Sequence, residues 1–225
     1  MAKFAIFDAC GTLVSDAKDV SDYVAESIRN IYGVIVKVDL GRYEGCTAKE
    51  IARLVLNEYG IMETEIDPRL DRYMEDLPYS YYNVAWSDRI VVSEGAKTLL
   101  DELRENGALL GIATGDSEKV TRMRLRKAGL DSYFAFGSYG EESEDMGEII
   151  GIAAKRAVSG SSLPVYDGIF ISGSPKTVKA AKETGIFSIG CMLGRHDASD
   201  FQDAKPDLMI KTFREKRQIL KTLFK

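Results

Sequence analysis

Asp8 ends the apolar run Phe4-Ala5-Ile6-Phe7 and opens the stretch Asp8-Ala9-Cys10-Gly11-Thr12-Leu13. A carboxylate held at the mouth of a turn can act as a nucleophile toward phosphorus or carbon. The glycine three residues on lets backbone approach a ligand, and the amides of such a turn can face an anion. The same spacing also suits an aspartate that only caps a turn, because Asp-x-x-Gly is a common loop sequence. Two later points repeat the arrangement with hydroxyls. Thr114-Gly115-Asp116 follows an apolar run ending at Ala113, and Ser172-Gly173-Ser174 follows the run 168 to 172. Other chemistries are poorly served. His196 is the only histidine, which excludes a histidine-based triad or a multi-histidine metal site, and its polar surroundings read as a surface loop. The phosphatase pattern Cys-x₅-Arg fails at Cys10 and Cys191, where the sixth residue on is Asp16 or Asp197, so both thiols read as packing residues.

For Asp8, Thr114 and Ser172 to Ser174 to meet, their strands must lie side by side and parallel, since ligands collect at the carboxyl ends of such strands. The rest of the chain supplies that sheet. From about Asp16 to Tyr82 the periodicity is helical: Val20, Val24, Ile28 and Ile31 share one face, and Ile51, Leu54, Val55 and Tyr59 another. A helix carrying Leu99, Leu100 and Leu103 then stops at Gly107. After it the pattern predicts strand 108–113, helix 117–129, strand 133–137, helix 145–158, strand 168–172, helix 176–184 and strand 186–191. Leu208-Met209-Ile210 and a helix over 213–224 close one edge. Alternation of this kind predicts an α/β fold, a doubly wound and mostly parallel sheet. Residues 1–15 and 88–225 form its core, and 16–87 an inserted α-helical subdomain.

Composition narrows the partners. Among 225 residues, 30 basic side chains face 35 acidic ones and 45% are hydrophobic. That balance gives no electrostatic footprint for nucleic acid or an anionic membrane, and points to a small molecule or a protein partner. The N-terminus lacks a signal-peptide apolar region and no apolar run reaches about 18 residues, so a soluble, cytoplasmic protein is expected. Three cysteines without a C-x-x-C pair are expected to be reduced thiols.

The combination of an apolar strand into Asp8-x-x-Gly11-Thr12-Leu13, a helical insertion, and an apolar strand into Thr114-Gly115 resembles the haloacid dehalogenase superfamily. The stretch Gly111-Ile-Ala-Thr-Gly-Asp116, with Arg124-Leu125, Ala128-Gly-Leu130 and Phe136-Gly137, is similar to its phosphoglycolate-phosphatase-like branch, as is the segment Gly45-Cys-Thr47. The resemblance implies a Rossmannoid core with a helical cap, and a phosphomonoesterase acting on a small phosphorylated metabolite. It implies Asp8 as the nucleophile that forms an aspartyl-phosphate, and Thr114 with Gly115 as phosphate ligands. Arg42, Glu44 and Thr47 fall in the cap segment it places over the site, as specificity candidates.

Several positions depart from the family pattern. The second aspartate of the first motif, the general acid and base, is Cys10 here. A thiol with a pKa near 8.5 is a poor acid for that step. The Mg²⁺ implied for an active phosphatase is held in the family by Asp8 and two further acids, which align with Ser174 and Thr177. A site left with one carboxylate should bind it weakly. The third-motif cation is missing too: no Lys or Arg lies between Phe136 and Glu148, Met146 stands where Arg is frequent, and Glu141, Glu142, Glu144 and Asp145 read as a solvated helix start. Lys176 is either a compensating cation or simply solvated. These departures keep a second function open, a protein of this fold that has lost catalysis and binds a small ligand or a protein partner. A third is metal-independent hydrolysis at carbon, as in the dehalogenases. The superfamily's phosphonate hydrolases also lack the second aspartate, but use Mg²⁺ and a Schiff-base lysine from the cap, where this chain has Lys37 and Lys49.

Overall fold

The structure is a computed structural model that describes residues 3–159, 168–193 and 195–224. In chain order its first elements are β1 (Phe4–Phe7), β2 (Val14–Asp16), α1 (Asp22–Tyr32), α2 (Ala48–Glu58), α3 (Glu63–Ile66), α4 (Leu70–Ala85) and β3 (Ile90–Val92). There follow α5 (Ala96–Glu105), β4 (Leu109–Ala113), α6 (Glu118–Lys127), β5 (Phe136–Ser138), α7 (Met146–Val158) and β6 (Gly168–Ser172). The last are α8 (Pro175–Glu183), β7 (Phe187–Cys191), β8 (Leu208–Ile210) and α9 (Lys216–Leu223).

Every residue of β1 is buried, which is why its sequence is apolar without alternation. Its side chains serve two cores. Phe4 and Ile6 join Ile149, Ile150 and Ala153 of α7 on one face. Ala5 and Phe7 join Leu99 and Leu103 of α5 on the other, where Phe7 meets Phe134 and Phe213 edge-on at 6.3 and 6.4 Å. The sheet has six strands in the order β5-β4-β1-β6-β7-β8, all paired in parallel, so the α/β doubly wound fold stands. The strand order reverses around β1, so β4 and β6 flank it and the three strand ends carrying Asp8, Thr114 and Ser172 are adjacent.

The helices α1, α2 and α4 bury Tyr23, Val24, Ile28, Val55, Leu70 and Tyr81 in a cluster of their own, joined from the core by Val120 of α6. Where this block leaves and rejoins the core, β2 pairs antiparallel with β3. The sequence gives no sign of this ribbon, because its strands are three residues long and mostly half-exposed. Two boundaries also differ from expectation. The strand expected at 133–137 is Phe136–Ser138, preceded by a 3₁₀ turn over Asp131–Tyr133, and the helix expected at 213–224 begins with a 3₁₀ turn over Phe213–Glu215.

Candidate active site

Asp8 sits just past β1 at the floor of a cleft between the sheet and the helical block, 7% exposed. Its Oδ1 accepts from the Ala9 N–H at 2.8 Å and its Oδ2 from the Ser172 hydroxyl at 2.9 Å. Ser172 is held in turn by the Ser174 N–H at 3.0 Å. Thr12 is buried, and its hydroxyl accepts from the Gly173 N–H at 2.9 Å, locking the loop after β1 to the loop after β6. Burial pushes the Asp8 carboxyl up to about 6, against the bonds from Ser172, Ala9 and Thr114 that favour the charged form.

The cleft encloses about 530 Å³. Thr114, Gly115, Ser174, Thr177, Met146 and Glu44 line it together with Asp8. Cys10 opens on it, so it is not the packing residue its sequence suggests. Desolvation raises its thiol to about 11, with the Arg124 guanidinium acting in the opposite sense. Cys191, by contrast, is fully buried in the core.

Arg42, Thr47 and Lys176 stand outside this wall. Arg42 is exposed and pairs with Glu58. Thr47 is buried and caps α2, accepting from the Glu50 N–H at 3.1 Å and donating to the Glu144 carbonyl at 3.1 Å. The Lys176 ammonium binds Glu50 at 2.7 Å and the Cys46 sulfur at 2.9 Å, so it fastens the helical block to α8 rather than standing free in solvent. Lys49 is likewise committed, to Asp71 and the Glu141 carbonyl. Two bland sequence readings change. His196 is half-buried and bridges Glu44 and Asp200 at 3.1 and 3.2 Å. The acidic segment is tied down rather than solvated: Glu141 accepts from the Glu118 N–H, Glu142 pairs with Arg156, Glu144 with Arg53, and Asp145 caps α7.

Close backbone contact seats the helical block on the cleft. The Ala48 N–H donates to the Gly115 carbonyl at 2.7 Å, and a β-carbon on Gly115 would lie 2.7 Å from the Thr47 Cα. Gly115→Val is therefore expected to cost about 1–3 kcal/mol by overpacking this seam. Urea denaturation beside the parent protein measures it, and an unchanged midpoint would show that the seam yields freely.

Sequence reasoning missed the cleft's two arginines. Arg124 is 2% exposed, binds Asp16 at 2.8 Å and also Asp116, and lies over the Tyr81 ring at 4.5 Å. Tyr81 donates to the other oxygen of Asp16 at 2.7 Å. One signal was present: Val120, Thr121, Arg124 and Leu125 share the buried face of α6, so an arginine occupies a core position of an amphipathic helix. Arg195 lines the cleft as well, its Nη1 3.4 Å from where a β-carbon of Gly11 would lie. It has no carboxylate partner among the described residues, and so supplies a free cation on the Asp8 side from the loop after β7.

A divalent cation does not fit this donor set. Mg²⁺ takes charged oxygens. Asp8 already accepts two hydrogen bonds, and the Ser174 hydroxyl is the N-cap of α8, accepting from the Thr177 N–H at 3.4 Å. Among the described residues no three His, Cys, Asp or Glu side chains converge on a common point.

A parallel sheet with a buried aspartate at the end of its first strand, under helices inserted after that strand, defines an α/β protein with its ligand site at the strand ends. A haloacid dehalogenase-like hydrolase profile matches residues 2–185. A phosphoglycolate phosphatase of Agrobacterium fabrum is 26% identical over 220 residues, 95% of this chain and 90% of its own. Among solved structures, a predicted phosphatase from Clostridium acetobutylicum superposes with a TM-score of 0.73 at 19% identity, covering 98% of this chain and 99% of its own. CbbY from Rhodobacter sphaeroides, solved in complex with phosphate, gives 0.69 at 20% identity over 96% of both chains. The chain belongs to the haloacid dehalogenase-like hydrolase family, and along most of its length it is similar to phosphoglycolate phosphatases. No helix among the described residues is long and apolar enough to cross a membrane.

Proposed function

We propose that this protein is a phosphomonoesterase for a small phosphorylated metabolite, working through an aspartyl-phosphate at Asp8, with residues 16–87 as the cap over the site. The observation that carries the reading is the Asp8 carboxylate itself, fixed by Ser172 and the Ala9 N–H at the floor of an enclosed cleft. With a pKa of about 6 it is ionised roughly tenfold over its acid form at pH 7. Its oxygen attacks phosphorus, the bond to the ester oxygen breaks, and water later hydrolyses the acyl-phosphate to regenerate the carboxylate. Thr114 and Gly115, at the end of β4, are the phosphate ligands in this reading.

The incoming phosphate and Asp8 are both anionic, and at 4 Å with an effective dielectric of 20 two unit charges repel by about 4 kcal/mol. Arg195 is the cation positioned to offset that cost. Arg195→Ala is expected to weaken inorganic phosphate binding by roughly tenfold, and Arg195→Lys by less, because a lysine keeps the charge but loses the fork. Titration calorimetry reads both, and unchanged affinity in the alanine variant would remove Arg195 from the site.

The competing reading is a binding protein of this fold without turnover. Cys10 favours it, because a thiol at about 11 donates a proton poorly and is almost never a base at neutral pH. Hydrolysis of a phosphomonoester panel by the wild type and Asp8→Asn, with Mg²⁺ and with chelator, separates the two. Turnover abolished by the substitution supports the phosphatase. Absence of turnover, with no phosphoryl mass retained on acid-quenched protein, leaves the binding reading.

A further inference from the structure

The cleft, at about 530 Å³, is much larger than a phosphoryl group, and its lining sets acids and hydrocarbon around the Asp8 site. We propose that the ester it accepts carries an alcohol with an apolar body and no negative charge, not a carboxylated alcohol such as glycolate. The inference rests on the phosphatase reading above and names the leaving-group class for the same site.

Three observations point the same way. First, the cations are spent or misplaced for a second anion. Arg124 already has two carboxylates, Asp16 and Asp116, and Lys18 at the rim pairs with Asp88 at 3.0 Å. Arg195, the cation left over among the described lining residues, stands beside the Gly11 turn, where the phosphoryl group would draw on it. Second, the anions are not spent in the same way. Glu44 shares His196 with Asp200, and Asp19 and Asp39 at the rim are held by nearby N–H and hydroxyl groups rather than by a cation. A second carboxylate entering the cleft would meet these acids with no cation left to pair with it.

Third, the remaining wall asks for hydrocarbon. Val20, Val24, Leu40, Ala48 and Ile51, all from the helical block, line the same space. The Tyr73 residue on that wall carries a buried hydroxyl with no hydrogen-bond partner, and this group is neutral. Apolar surface and an uncharged hydroxyl reward an apolar or hydroxylated chain, while the acids reject a carboxylate. Attraction and rejection together set specificity.

The test is competition between three defined anions on the wild-type protein by titration calorimetry: inorganic phosphate, monohexyl phosphate and phosphoglycolate. Monohexyl phosphate is expected to bind at least about tenfold more tightly than phosphate, because its chain leaves water for the apolar wall, and phosphoglycolate no more tightly than phosphate. Leu40→Lys, at a half-exposed position that tolerates a long side chain, is expected to shift the ratio at least about fivefold toward phosphoglycolate. Phosphoglycolate binding as well as or better than the hexyl ester overturns the proposal and leaves the phosphatase reading standing. A Leu40→Lys ratio that does not move also overturns it, since the cleft wall would then not sense the charge of the alcohol. If none of the three anions binds, the phosphoryl site is absent and both readings fall together.

Discussion

Cys10→Asp is expected to raise phosphomonoester turnover by roughly 10²- to 10⁴-fold, the range that a positioned general acid and base supplies. The side chain opens on the cleft two residues from Asp8, where a proton must be given to the departing oxygen and later taken from water. A thiol raised to about 11 by desolvation does the first badly, and it does the second hardly at all, because it is almost never a thiolate at pH 7. A carboxyl in its place meets the same desolvated surroundings, with Asp116, Asp16 and Asp8 pushing its pKa up toward the operating pH and the Arg124 guanidinium pulling it down. The two chemical halves respond differently. If wild-type dephosphorylation is the slow half, acid quench during turnover should trap phosphorylated protein in the wild type and much less in the variant. Steady-state rates and intact mass on the same samples check both statements. A folded Cys10→Asp protein with unchanged turnover would show that position 10 does not reach the leaving oxygen.

What was legible in the sequence follows from the range of the forces involved. The strand Phe4–Phe7 is readable because four consecutive apolar residues can be buried only between two helix layers, and that placement fixes where Asp8 must emerge. Thr114 and Ser172 are readable for the same reason, as the first polar residues after buried strands. Contacts made across the fold are not. Lys176 finds Glu50, 126 residues away, and His196 finds Glu44, 152 away, pairings that no local pattern encodes. Arg195 shows the limit most clearly. The segment after β5, where the family pattern puts a cation, holds none between Phe136 and Glu148, whereas the guanidinium beside Gly11 comes from the loop after β7. The β2–β3 ribbon escaped because strands of three residues are too short to show a period.

Asp8→Asn is expected to abolish turnover and, in chelator-treated protein without ligand, to stabilise the fold. The first effect is chemical, since an amide oxygen cannot form the acyl-phosphate at a useful rate, and a loss of at least about 10³-fold follows if the carboxylate is the nucleophile. The second comes from proton linkage. The folded carboxyl titrates at about 6, above the ordinary value of 3.8, so between those pH values the folded state holds more protons than the unfolded one. Stability from this group is therefore fully present below pH 3.8 and is lost as pH rises through 6. At about 1.4 kcal/mol per unit, the penalty above that window approaches 3 kcal/mol. Asparagine is neutral throughout and still accepts the Ala9 N–H, while the Ser172 hydroxyl, which is free to rotate, accepts from its amide. Urea titrations of the two proteins from pH 4 to pH 7 should diverge progressively, with the variant gaining about 1–3 kcal/mol over the wild type at the upper end. A constant difference across that range would mean that burial does not hold the Asp8 carboxyl up. A gain that grows with pH would show a carboxylate held in place at the expense of the fold.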